Sequence, residues 1–133
     1  MRTVMNNPDA VHPPVGTYSH AVRVETTDGT WIYISGQVAL DAKGTLVGAG
    51  DLRAQTRQVY ENLRAILEAN GATFADVVKI GTYLTTLYDL AGMREVGSEY
   101  LTSEPPASTA VQVMALVVPD ALIEIDLVAV IPS

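Results

Sequence analysis

Glu124 and Asp126 are the residues whose type and spacing could do chemistry here. They alternate with apolar residues in LIEIDLVAVI (122–131), and side chains at i and i+2 of a strand stand on one face about 7 Å apart. Two carboxyls that close raise the pKa of one of them, which suits a group that must take and return a proton near neutrality. Any strand with one wetted face shows the same alternation, so the spacing leaves both readings open.

Composition narrows the other chemistries. The chain has no cysteine, which excludes disulfides, thiolate zinc sites and cysteine nucleophiles. His12 and His20 are the two histidines and show neither HxH nor HxxxH spacing, so no metal is expected. Ser35 precedes Gly36, but there is no GxSxG elbow around it and no phosphate loop of the GxGxxG or GxxxxGK[ST] kind; no cofactor is expected. Fifteen acidic against eight basic residues leave a net charge of −7 with the basic residues scattered. A nucleic-acid partner needs a basic footprint and is not expected.

A sheet must hold the carboxylate pair. Residues 1–19, with Asn6, Asn7, Pro8, Pro13 and Pro14, read as an irregular arm. AVRVE (21–25) and WIYIS (31–35) flank Thr27-Asp28-Gly29-Thr30 and read as a hairpin. A glycine-rich loop covers 41–50. Asp51 is placed to cap a helix whose apolar residues Leu52, Val59, Leu63, Ile66 and Leu67 repeat at helical spacing up to Gly71. On its polar face Arg57 is expected to pair with Glu61, and Arg64 with Glu68. DVVKIGTYLTT (76–86) reads as a strand. A second helix starts at Asp89, carries Leu90, Met93, Val96, Tyr100 and Leu101, and stops by Pro105-Pro106. Strands at 107–116 and 122–131 complete the order ββαβαββ, a single domain over 1–133.

Of the residues, 48 % are hydrophobic and 17 % charged, against about 25 % charged in an ordinary soluble domain. Two helices cover one face of such a sheet. Ile123, Ile125, Leu127 and Ala129 point to one side of the last strand, and Glu124, Asp126, Val128 and Val130 to the other. That second face is half apolar and half acidic, as a subunit interface beside a wet cleft would be. No run suits a signal peptide or a membrane span, so a cytoplasmic protein with no membrane partner is expected.

VGTYSHAV (15–22), YISGQVALD (33–41), QTRQVYENLRAILEANGATFADVVKIGTYLT (55–85), PPASTAVQV (105–113) and IEIDLVAV (123–130) follow one another over nearly the whole chain. In that order they resemble the YjgF/RidA family. The resemblance implies a chorismate-mutase-like α+β subunit, with one mixed sheet and two helices on one face, assembled as a homotrimer with three clefts between subunits. It implies hydrolysis of reactive enamines and imines to 2-oxo acids and ammonia. Position by position, it makes Tyr18 the tyrosine of the arm and Ser35 the serine of SGQ, both lining the cleft. Glu124 becomes the glutamate that positions water or moves protons, and Asp126 a second acidic position.

One position departs from the family pattern. Deaminase members carry an arginine that clamps the substrate carboxylate where this chain has Ser108, followed by Thr109 and by Ala110 at a position where cysteine or threonine is common. A bidentate guanidinium contact is worth about 1.5–3 kcal/mol per hydrogen bond, so its loss implies an altered substrate choice. Arg94 stands at a helix position where many members present an asparagine to the cleft. It either supplies the anion contact from another direction or is a surface residue paired with Glu95 or Glu99. The expected function is a hydrolase of the deaminase type acting on small metabolites. The alternative is a trimer that binds a neutral or cationic small molecule without turning it over. The negative charge argues against the endoribonuclease label that some members carry.

Overall fold

The computed structural model describes residues 1–5 and 8–133. Asn6 and Asn7, counted above in the arm, lie outside the described residues. The expected hairpin is β2 (Ala21–Thr26) and β3 (Gly29–Gln37), the first helix is α1 (Leu52–Ala69), and β4 (Val77–Leu84) follows a single 3₁₀ turn at Phe74–Asp76. Then come α2 (Leu90–Ser98), β5 (Ala107–Gln112) and β6 (Ile123–Pro132). Helix α2 stops at Ser98 and β5 at Gln112, both short of their expected ends.

The arm is not wholly irregular. Arg2–Met5 forms a further strand, β1, which pairs antiparallel with β2 from Arg2 opposite Val24 to Met5 opposite Ala21. The ammonium of Met1 donates to the Glu25 carbonyl at 2.7 Å. Four largely exposed residues carry too little pattern to announce a strand; the ladder of backbone hydrogen bonds along β2 makes it one. Among the described residues the sheet order is β1-β2-β3-β6-β4-β5, with β4 and β5 parallel and the other neighbours antiparallel.

Both helices pack on one face. Ile32, Ile34, Ile123, Ile125 and Leu127 of the sheet are buried against Val59, Leu63 and Ile66 of α1. Each such side chain stabilises the fold by about 1.5–3 kcal/mol. The Asp51 side chain accepts from Ala54 N at 3.0 Å, and Gly71, at φ 76°, takes the left-handed turn that ends the helix. Asp51→Ala should therefore cost about 1 kcal/mol of unfolding free energy in urea titration; an unchanged midpoint would show the cap to be idle.

The two expected ion pairs on α1 are not formed. Arg57 reaches across to Glu99, with hydrogen bonds of 2.9 and 3.3 Å, and Arg64 bonds Glu61 at 3.1 Å. An arginine four residues ahead of a glutamate is the weaker helical orientation. Glu99, just past α2, offers both carboxylate oxygens to the Arg57 fork instead.

The other face of the sheet is open. Tyr33, Val78 and Val111 are more than two-fifths exposed, and Glu124, Asp126, Val128 and Val130 are half-buried on the side of β6 turned away from the helices. The expected division of the last strand holds.

Candidate functional site

Glu124 lies in a cavity of about 310 Å³ lined also by His12, Tyr18, Ser35, Gly36 and Val38. Strand β3 shifts register against β6 between Ile34 and Gln37, a bulge that carries Ser35 and Gly36 across the Glu124 side chain. A Cβ on Gly36 would sit 2.5 Å from Glu124 Oε2, so glycine is what lets the carboxylate lie against the strand. Burial, and secondarily the charge of Asp126, pushes the Glu124 pKa above the usual carboxylate range.

The two carboxylates have different surroundings. Tyr83 donates its hydroxyl to Asp126 at 3.2 Å, and a Cβ on Gly81 would stand 2.5 Å from Asp126 Oδ1. The Asp126 charge, reinforced by that hydrogen bond, raises the Tyr83 pKa. No hydrogen bond reaches the Glu124 carboxylate among the described residues. Asp126 is thus occupied, and Glu124 is the carboxylate available for proton transfer.

The other polar groups of this cavity are oriented. Ser35 Oγ donates to the Ser19 carbonyl at 2.6 Å, so its proton is committed and it meets a ligand as an acceptor. The Tyr18 hydroxyl accepts from Val15 N at 3.2 Å and keeps its own proton to donate. Acceptors at Ser35 and Glu124 suit a ligand that brings N–H groups.

His12 was not singled out by its sequence neighbourhood, yet it is buried in this wall, 3 % exposed. Its Nδ1 is 2.8 Å from the Pro13 carbonyl, and His20 Nε2 is 2.7 Å from the His12 carbonyl. Carbonyls only accept, so both nitrogens carry protons. The rings meet edge to face with centroids 6.2 Å apart. Burial lowers the His20 pKa, partly offset by its bond to the His12 backbone. Among the described residues no group of three or more His, Asp or Glu side chains is placed to hold a metal.

Arg94, Ser108 and Ala110 come together elsewhere. They line a second cavity, of about 450 Å³, between α2 and the β4–β5 edge, with Tyr60, Thr82 and Met93 among its other walls. Arg94 is exposed. The glutamates expected as its surface partners are taken: Glu95 by Arg53 at 3.3 Å and Glu99 by Arg57 at 2.9 Å. Thr109 belongs to neither cavity. It sits opposite Gly81, which is itself opposite Asp126, and accepts from Lys79 Nζ at 3.0 Å.

A mixed sheet with two helices on one face and an open, half-apolar second face defines a chorismate-mutase-like α+β fold. The Endoribonuclease L-PSP family model matches residues 9–131, and the chain belongs to that family, the Rid/YjgF group. It is 43 % identical over 116 residues to a RutC family protein of Pyrococcus horikoshii, covering 87 % of this chain and 88 % of that one. It is 38 % identical over 122 residues to the 3-aminoacrylate deaminase RutC of Acinetobacter baylyi, covering 92 % and 93 %. The crystal structure of RidA from an Antarctic Psychrobacter superimposes with a TM-score of 0.82 at 39 % identity, covering 94 % of this chain and 97 % of that one. Among the described residues no helix is long and apolar enough to cross a membrane.

Proposed function

We propose that the chain assembles as a homotrimer and hydrolyses small imines or enamines in clefts where the Glu124 cavity of one copy meets the Arg94–Ser108 cavity of the next. The observation that carries this reading is Glu124, a carboxylate with a raised pKa in a cavity whose Ser35 oxygen also faces the ligand as an acceptor. The named deaminase among the relatives supports the reaction class. The net charge of −7 weighs against RNA as a substrate.

In the reaction, Glu124 takes a proton from water as the water oxygen bonds the imine carbon, giving a carbinolamine. The same carboxyl returns that proton to nitrogen and then relays the carbinolamine hydroxyl proton to it, so that the O–H electron pair forms the C=O bond as the C–N bond breaks and its own pair leaves with ammonia. A 2-oxo acid remains, so imine plus water balances oxo acid plus ammonia. Ser35 accepts from the imine N–H, and Tyr18 donates to oxygen. Arg94 draws the carboxylate from the helix side, because Ser108 offers a hydroxyl where a clamp would need a guanidinium fork.

The test generates 2-iminopropionate in place from alanine with an amino-acid oxidase and follows 2-oxo acid release. Protein should accelerate release over free solution, and Ser108→Arg should raise the rate on this small substrate by about tenfold to a hundredfold. No acceleration by either protein, with thermal stabilisation by neutral amides alone, would leave a binding trimer in place of an enzyme.

Gly36→Ala gives a second measurement. The added methyl must push the Glu124 carboxylate aside, and a misplacement of about 1 Å can cost on the order of a hundredfold in turnover. Unchanged kcat with the carboxylate visibly displaced in a crystal structure would remove Glu124 from the chemistry.

A further inference from the structure

The second cavity holds two hydroxyls that nothing in the chain uses. Tyr60, from α1, is 3 % exposed, and Thr82, from β4, is 6 % exposed. Both line the cavity, and neither hydroxyl has a hydrogen-bond partner among the described residues. Their neighbours are satisfied: Thr56 Oγ1 donates to the Leu52 carbonyl at 2.7 Å, and the Tyr100 hydroxyl donates to Glu61 at 2.6 Å. Although the two residues are largely buried, their hydroxyl oxygens are not among the buried atoms left without a partner; they open onto the cavity, where a ligand oxygen can take the place of water.

The surroundings limit what that ligand group is. Ile80, Met93, Leu101 and Pro105 make the remaining wall largely apolar, and the Arg94 guanidinium stands at the exposed end. Burial pushes the Tyr60 pKa up to about 12, so the phenol keeps its proton at neutral pH and is a donor. The same burial would penalise a second carboxylate beside it. The recess therefore suits an apolar segment carrying a neutral oxygen acceptor.

We propose that Tyr60 and Thr82 determine specificity. The substrate's carboxylate stays at the rim with Arg94, and its side chain runs under α2 as a short unbranched segment whose ether, carbonyl or sulfoxide oxygen bonds both hydroxyls. This rests on the reading of the second cavity as half of the substrate cleft, and it names the side-chain class that cleft takes.

The test compares two isosteres that differ by one oxygen for one methylene, 4-methoxy-2-oxobutanoate and 2-oxohexanoate. Calorimetry on the intact assembly should show the methoxy acid bound about three- to tenfold more tightly, as one to two neutral hydrogen bonds provide. In Tyr60→Phe and in Thr82→Val that ratio should fall toward one. The ratio is insensitive to a loss of folded protein, since both ligands report on the same sample. Equal affinities in the natural protein, or a ratio preserved in both variants, overturns the proposal. Turnover of the imines made from O-methylhomoserine and norleucine gives the kinetic counterpart. A binding ratio that holds while neither imine is hydrolysed fails the hydrolase and keeps the recess.

Discussion

Glu124→Gln is expected to cut turnover of a 2-imino acid by about 10²–10⁴, the usual contribution of a positioned acid or base, and at neutral pH to raise the melting temperature. The two effects have one origin. Burial and the Asp126 charge lift the Glu124 pKa in the folded protein above its unfolded value. Between those two values the folded state binds more protons than the unfolded one, so stability falls as pH rises through the window and stays lower at neutral pH. Glutamine fills the same space without a charge and relieves that cost. The acid limb of the kcat/KM profile should accordingly lie above the ordinary glutamate range. Asp126→Asn should move that limb downward, because one raising influence is gone, while leaving the tyrosine-bonded position far less damaging to turnover. Full activity in Glu124→Gln, or a lower melting temperature at pH 7, would count against the carboxylate as the site's base.

Much of this arrangement could be read before any coordinates. Period-two alternation over 123–130 places Glu124 and Asp126 together on the face turned from the helices, and β6 does so. What separates the two carboxylates lies on other strands. Gly36 and the bulge of β3 make room for one, and Gly81 and Tyr83 of β4 engage the other. Strand register is a tertiary property that no local pattern records. Arg57 and His12 illustrate the same limit, since the partner of the first follows a second helix and the second reaches the cavity through the path of the arm. Thr109 is different. Period two along β5 already puts Ser108 and Ala110 on one face and Thr109 on the other, so its exclusion from their cavity was legible. Tyr60 and Thr82 carry helix and strand patterns indistinguishable from core positions; only their unused hydroxyls set them apart.

Mixing two impaired variants should restore activity. In one chain, Glu124 lines a cavity with Ser35, whereas Arg94 lines another with Ser108 across the sheet from it. Glu124 is on the open face, whose exposed Tyr33, Val78 and Val111 are more apolar surface than a lone domain of this size should leave in water. In the proposed ring of three copies that face is buried by a heterologous contact, in which one patch of each copy meets a different patch of the next. Every cleft then takes its carboxylate from one copy and its guanidinium from a neighbour. Arg94→Ala should lose on the order of tenfold to a hundredfold on a carboxylate-bearing imine. Glu124→Gln and Arg94→Ala chains refolded together in equal amounts assort at random. A cleft is intact when its glutamate side comes from an Arg94→Ala chain and its arginine side from a Glu124→Gln chain, each with even odds, so about one quarter of natural activity should return in a closed ring. Sedimentation of the mixture verifies the three-chain mass. Mixed trimers no more active than the average of their parents place both groups in the cleft of a single copy, and a chain that sediments as a monomer while turning over imine at full rate removes the shared cleft altogether.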